Sequence, residues 1–308
     1  MRAAGARFAK RDRRFMTIAY HGVRGSVPTP GPQTMRYGGN TSCVCLEIEN
    51  RVLVLDAGTG IRSLGAELVG DDREIYVLFT HLHDDHVQGF PFFKPLYEPG
   101  RTVHLIHYHP PGHGDPWSPL ALFDGQRFPL TAGEIPADFH HVESDGLSFL
   151  RRRGFDIERL AVNHPGGAYS YRLHHDGRTY VHVPDNELYP PYDTACSFEE
   201  LADFCDGADL LCHDAQYQDD DMPAKHGWGH SRVSQTCDLA ARAEVDRLLL
   251  FHHDPVRTDD DIDALQAGAR DRLRGSGVEC AAAYEGLALN LSAEDQIHLG
   301  RMAPSRPS

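Results

Sequence analysis

His81, His83, Asp85 and His86 lie within one short segment, Thr80-His81-Leu82-His83-Asp84-Asp85-His86, directly after the apolar run Ile75-Tyr76-Val77-Leu78-Phe79. Neutral imidazole suits zinc and related transition metals, and a carboxylate can bind one ion or bridge two. His81 and His83 are two positions apart, so at the start of a tight loop both rings can turn toward one ion. Asp85 and His86 follow at once and can face a second. Four further apolar runs end in ligand-type residues. Arg159-Leu160-Ala161-Val162-Asn163 leads to His164, and Tyr180-Val181-His182-Val183-Pro184 leads to Asp185. Asp209-Leu210-Leu211-Cys212 leads to His213 and Asp214, and Arg247-Leu248-Leu249-Leu250-Phe251 leads to His252 and His253. Strand C-termini gather at one edge of a sheet, where open α/β folds place their sites.

The elements that must carry these residues are short. The runs 17–22, 42–48, 51–58, 74–81, 102–108, 147–153, 158–164, 169–173, 179–185, 209–215 and 247–253 are rich in Val, Leu, Ile and Tyr, and their length favours strands. Helical patterns cover 60–69, 197–206, 232–244 and 259–274, with Ser231 and Asp259 as expected N-caps of the last two. Hairpin-like strands followed by strand–helix alternation predict α/β layers, with helices outside two sheets.

The chain has 30 Lys and Arg against 45 Asp and Glu, a net charge of −15, which argues against a long nucleic acid as partner. A small anionic substrate remains compatible, since bound metal ions invert the local field. No apolar run approaches the roughly 20 residues of a bilayer-spanning helix, so no membrane partner is expected. The basic start has no apolar segment ahead of a small-residue cleavage site, and the seven cysteines form no Cys-x-x-Cys pair. A reducing cytoplasm is the expected compartment. No repeat or Gly/Ser linker divides the chain, and the Pro/Gly-rich stretches 26–34 and 109–119 read as loops that leave room for a homodimer interface.

The His-x-His-x-Asp-His segment at His81, His83, Asp85 and His86 resembles the signature of the metallo-β-lactamase superfamily. Leu55-Asp56-Ala57-Gly58-Thr59-Gly60 resembles that family's preceding strand and turn, and His164, Asp185 and His252 follow in the family's order. The resemblance implies an αββα sandwich of two mixed β-sheets flanked by helices, occupying 16–292 between a basic tail over 1–15 and a loose tail over 293–308. It implies two divalent ions, with zinc the default and manganese or iron as alternatives. His81, His83 and His164 would hold one ion, Asp85, His86 and His252 the other, and Asp185 would bridge them. His253 is the alternative to His252.

A carboxylate at the bridging position separates the chain from the Cys-ligand antibiotic-hydrolysing branch, and the intact histidine loop separates it from the flavodiiron branch. The opening loop 24–43 resembles that of the phosphodiesterase and tRNA-3′-processing ribonuclease branch. So does the pair Asp214 and His230, in which the histidine would protonate the leaving oxygen and the aspartate orient it. Two ions about 3.5–4 Å apart can activate a bridging hydroxide and clamp both oxygens of an in-line displacement. A departing alkoxide needs a proton, and a histidine titrating near neutrality suits that task. The expected catalytic residues are therefore Asp85, Asp214 and His230. No Gly- and Lys/Arg-rich arm for gripping tRNA is inserted between His86 and His164, so a small, even cyclic, phosphodiester is the expected substrate. The chain is most similar to a bacterial group classed with class II cyclic-nucleotide phosphodiesterases. Hydrolysis of a thioester or lactone, and a non-catalytic metal- or ligand-binding module, are the competing readings.

Other positions carry two readings each. Asp56 either holds the histidine loop through an imidazole nitrogen or is a strand-end turn residue. Arg24, Tyr37 and Asn40 either meet a phosphate or play loop roles, the latter expected. His107, His109 and His113 are expected at the surface, against a metal patch or lid, and Trp228 is expected to pack under its loop rather than stack on a base.

Overall fold

Strict alternation of side chains along the strands builds the layers. In the computed structural model, which describes residues 15–108, 118–142 and 145–292, the strands form two mixed sheets. The first contains β1 (Met16–Gly22), β2 (Cys43–Ile48), β3 (Arg51–Leu55), β4 (Ile75–Leu78), β5 (Thr102–Ile106), β6 (Asp138–Val142) and β13 (Ala288–Leu291), in the order β13-β1-β2-β3-β4-β5-β6. The second contains β7 (Asp156–Val162), β8 (Ala168–His175), β9 (Arg178–Val183), β10 (Leu210–Asp214), β11 (Arg247–Phe251) and β12 (Glu279–Ala282), in the order β12-β11-β10-β9-β8-β7. Each sheet joins antiparallel hairpins to a parallel half, β3 to β6 in the first and β9 to β12 in the second.

On β3, Leu53 and Leu55 enter the core between the sheets, while Val52 and Val54 enter the layer outside it. On β11, Leu249 and Phe251 face inward and Leu248 and Leu250 outward. The outer layer of the first sheet is covered by α1 (Ile61–Glu67). That of the second is covered by α4 (Phe198–Cys205), α5 (Val233–Arg242) and α6 (Asp259–Arg272). The short α2 (Asp84–Val87) and α3 (Gly146–Arg152) complete the set of α-helices among the described residues. The expected αββα sandwich is the observed fold.

The run 147–153 corrects the expected strand: it lies largely in α3, where Leu147, Phe149 and Leu150 pack on the inter-sheet core. Helical spacing of Leu147 and Leu150 after a glycine outweighs a short apolar run. The N-caps also shift by one residue. Thr258 caps α6 in a capping box with Asp261, leaving Asp259 to accept from the backbone N–H groups of Arg36 and Tyr37. Arg232 occupies the N-cap position of α5, and Ser231 instead donates to the carbonyl of Asn186 at 2.6 Å. Strands β6, β12 and β13 have no counterpart among the predicted runs. The tail expected over 1–15, except Phe15, and the one over 293–308 lie outside the described residues, as do His109 and His113.

The seven cysteines are buried and none forms a disulfide. Two histidines remote in sequence from the histidine loop are buried as neutral groups. Burial depresses His21 to about 4 and His182 to about 3. The unfolded chain, with its ordinary histidine value of about 6.5, binds more protons below that pH, so these burials cost stability as pH falls from 6.5 toward 4. The His21→Gln variant is expected to lose less stability than the parent between pH 7 and pH 5, by at most about 2 kcal/mol. Denaturant titrations at the two pH values measure the difference; equal losses in both proteins would place the acid sensitivity elsewhere.

Candidate active site

The parallel halves of both sheets end at one edge, and the ligand-type residues leave the strands there. Asp56, at the end of β3, adopts φ +62° and is fully buried. Its carboxylate accepts from the Thr80 backbone N–H at 2.8 Å, from the Thr80 and Ser42 hydroxyls at 2.9 and 3.2 Å, and from His86 Nδ1 at 2.7 Å. That last bond leaves His86 Nε2 facing Asp185. Asp56 therefore holds the histidine loop, the first of its two readings. Asp56→Asn is expected to weaken metal affinity by about 10–100-fold with the fold retained, as loss of an imidazole's outer partner commonly does. Competition against a chromophoric chelator measures it, and unchanged affinity would return Asp56 to a purely structural place.

Four overlapping donor groups form among the described residues; two include His230, namely His164, Asp185 and His230, and Asp214, His230 and His252, and the other two hold the expected ligands. One ligand atom each from His81, His83 and His164 lie within 4.8 Å of one another, and so do those of Asp85, His86, Asp185 and His252. His83 Nδ1 and His164 Nε2 are 2.9 Å apart, and His164 Nδ1 donates to the carbonyl of Gly229. Asp185 faces both groups. Its Oδ1 is 3.1 Å from His86 Nε2 and 3.3 Å from His252 Nε2, and its Oδ2 is 3.7 Å from the Nε2 atoms of both His81 and His164. Buried His81 Nε2, His86 Nε2 and Asp185 Oδ1 have no hydrogen-bond partner in the protein. Orphaned donors of these types, converging on two centres, fit a pair of divalent cations.

The electrostatics agree with that fit. Burial keeps His81 and His83 below the ordinary histidine value and brings His164 to about 4, so these rings are neutral and able to ligate. At His252 burial opposes the charged form, but Asp185 and Asp85 outweigh it and lift the ring to about 9. His86 is raised for the same reasons. The two carboxylates thus demand positive charge, which protons or divalent cations can supply.

Neighbouring residues fix these donor side chains. Ser26, at φ +62°, donates its backbone N–H to Asp85 Oδ2 at 2.6 Å. Gln216 Oε1 accepts from His252 Nδ1 at 2.7 Å. The chain turns left-handed at His252, φ +58°, so the two adjacent histidines part: His252 enters the donor group and His253 donates to the carbonyl of Ala283. His213 is buried outside both groups, with Nδ1 on the carbonyl of Asp214.

Beside the expected ligands, His230 Nδ1 meets Asp214 Oδ2 at 2.7 Å, and the carboxylate also accepts from the N–H groups of Asn186 and Gln216. The His230 ring stacks on His252 with centroids 4.8 Å apart, and its Nδ1 is 3.9 Å from Asp185 Oδ2. Glu187 accepts from the N–H groups of Gly227 and Gly229, both at 2.9 Å, and so shapes the loop carrying His230. Sequence reasoning missed Ser26, Gln216 and Glu187; the only signal was position, in the opening loop, after Asp214 and after Asp185.

Arg24, Tyr37 and Asn40 bond to backbone carbonyls, to Asp263 and to Glu285, which are loop roles. His107 corrects the surface expectation: it is buried, with Nε2 2.6 Å from His141 Nε2. Trp228 corrects the packing expectation, being 62% exposed between two glycines that each adopt φ +90°.

Residues 50–253 match the sequence profile of the beta-lactamase superfamily domain. Ribonuclease Z of Picrophilus torridus is 23% identical over 277 residues, spanning 77% of this chain and 85% of that protein. Among solved structures, Zn(2+)-bound PqqB from Methylobacterium extorquens superposes with a TM-score of 0.62 at 20% identity, over 90% of this chain and all of that one. A diphosphatase from the PhnP family superposes with a TM-score of 0.58 at 16% identity, over 90% and 97% of the two chains.

Proposed function

This chain belongs to the beta-lactamase superfamily and is a metal-dependent hydrolase; from that footing we propose that it hydrolyses a small phosphodiester with the help of two divalent ions. One observation carries the reading: the Asp214–His230 pair, bonded at 2.7 Å, stands beside the two groups of expected ligands and stacks on His252. The likeness to ribonuclease Z supports phosphodiester cleavage, and the net charge of −15 favours a small substrate over RNA.

When bound, the ions supply Lewis acidity and an activated water. His81, His83 and His164 would hold one, Asp85, His86 and His252 the other, and Asp185 would reach both. Asp214 holds the Nδ1 proton of His230, so Nε2 is the nitrogen that gives its proton to the departing alkoxide and regains it from solvent. Ser26 and Gln216 keep Asp85 and His252 from rotating away while this happens.

Turnover by zinc- and manganese-loaded protein tests the reading. The panel is a chromogenic phosphodiester, 2′,3′- and 3′,5′-cyclic nucleotides, a short RNA, a thioester and a lactone. Cleavage of the small phosphodiesters supports it. Activity on the thioester or lactone alone overturns the assignment of His230, and a strong preference for the RNA overturns the small-substrate reading.

A further inference from the structure

The turn Gly227-Trp228-Gly229 stands directly before His230 and has little of its own to hold it. Both glycines lie at φ +90°, where the backbone is free rather than constrained, and the indole between them is exposed instead of packed. One buried carboxylate supplies the missing order. Glu187 accepts from the Gly227 N–H through Oε1 and from the Gly229 N–H through Oε2, each at 2.9 Å. Such a two-pronged grip by a carboxylate fixes direction as well as distance.

Glu187 is itself anchored. Its N–H donates to the carbonyl of Asn163 at 2.8 Å, and Asn163 Nδ2 donates to the Glu187 carbonyl at 3.2 Å. Asn163 directly precedes His164, and Glu187 lies two residues after Asp185. The other flank of His230 rests on the same segment, since the Ser231 hydroxyl donates to the carbonyl of Asn186. The Gly229 peptide ties these parts together: Glu187 holds its N–H, and its carbonyl accepts from His164 Nδ1 at 2.9 Å.

We propose that Glu187 is a positioning residue, which sets the distance between His230 and the leaving oxygen by clamping this turn; the inference rests on the phosphodiesterase reading above. Asp214 fixes the rotation of the His230 ring through Nδ1, whereas Glu187 places the backbone that carries the ring. Proton transfer needs hydrogen-bond reach, and a displacement of about 1 Å can cost about 10²-fold in rate.

The Glu187→Gln variant of the full chain at saturating metal tests this, because its amide turns an N–H donor toward one of the two N–H groups. Rates on alkoxide leaving groups should fall about 10–10²-fold at little-changed KM, while a 4-nitrophenolate leaving group is nearly unaffected. Added to His230→Ala, the same substitution should cost no more than about twofold further, as expected of residues acting through one another. With Trp117→Phe as background, the anisotropy decay of Trp228 should gain a fast component in the variant. Glu187→Asp, too short to reach both N–H groups, should repeat the pattern and guards against a variant that fails to fold. An equal loss for every leaving group, or a full further loss on top of His230→Ala, overturns the proposal. Unchanged mobility of Trp228 in both variants overturns it as well. A parent that cleaves no phosphodiester would sink the functional reading instead, and the anisotropy decay would still decide whether Glu187 holds the turn.

Discussion

The His230→Ala variant is expected to cleave phosphodiesters with alkoxide leaving groups about 10²–10⁴-fold more slowly, the range spanned by general acid catalysis. The loss should be smaller for a 4-nitrophenolate leaving group, which departs without a proton. Metal content should be unchanged, because His230 commits Nδ1 to Asp214 and belongs neither to the His81, His83 and His164 group nor to the Asp85, His86, Asp185 and His252 group. The fold should also survive: Asp214 keeps the N–H groups of Asn186 and Gln216 as partners at 3.1 and 3.0 Å. Rates across a series of leaving groups, with metal analysis of the same samples, check all three statements. A folded, metal-loaded variant with undiminished rates on poor leaving groups would remove His230 from the chemistry. Loss of metal would instead make it a ligand.

Asp185→Ala should abolish turnover and release at least one metal equivalent. Asp185 alone presents an oxygen to each donor group, so its removal opens both at once. The loss of affinity should exceed the 10–100-fold that an outer partner costs. The metal-free variant should remain folded. The Asp185 carboxylate is the foremost charge holding up the pKa of both His252 and His86, so without it these rings lose much of the cause for being charged while buried. Elemental analysis and thermal melting of parent and variant decide the matter. Retention of two ions by the variant would exclude Asp185 as the shared ligand.

The site was legible in the sequence because its chemistry is concentrated. Five apolar runs ending in His or Asp declare both the strands and the edge at which they meet, and helical periodicity supplies most of the outer layers. What escaped depends on backbone direction or on partners far along the chain. His252 and His253 are equivalent in composition, and only the left-handed turn at His252 separates them. β6, with the sequence Asp-Phe-His-His-Val, is a largely polar edge strand without the aliphatic alternation that marks its neighbours. The run 147–153 satisfied a strand pattern by length alone, and its packing on the inter-sheet core decided for a helix. Ser26 and Gln216 act through a backbone amide and a side-chain amide on donor side chains more than a strand away, which no local motif records.

Asp85 and His252 meet at 3.1 Å although 167 residues separate them in sequence. Asp85 lies in α2, which follows β4 of the first sheet, and His252 directly follows β11 of the second. An ion gripped between them would cross-link the two halves of the sandwich and close a chain segment longer than half the molecule. An unfolded chain cannot offer that grip, so the free energy of ion capture adds directly to the free energy of folding. The resistance of this protein to heat and proteolysis would then follow the free metal concentration around it, and scarcity of the ion would remove the protein as well as its activity.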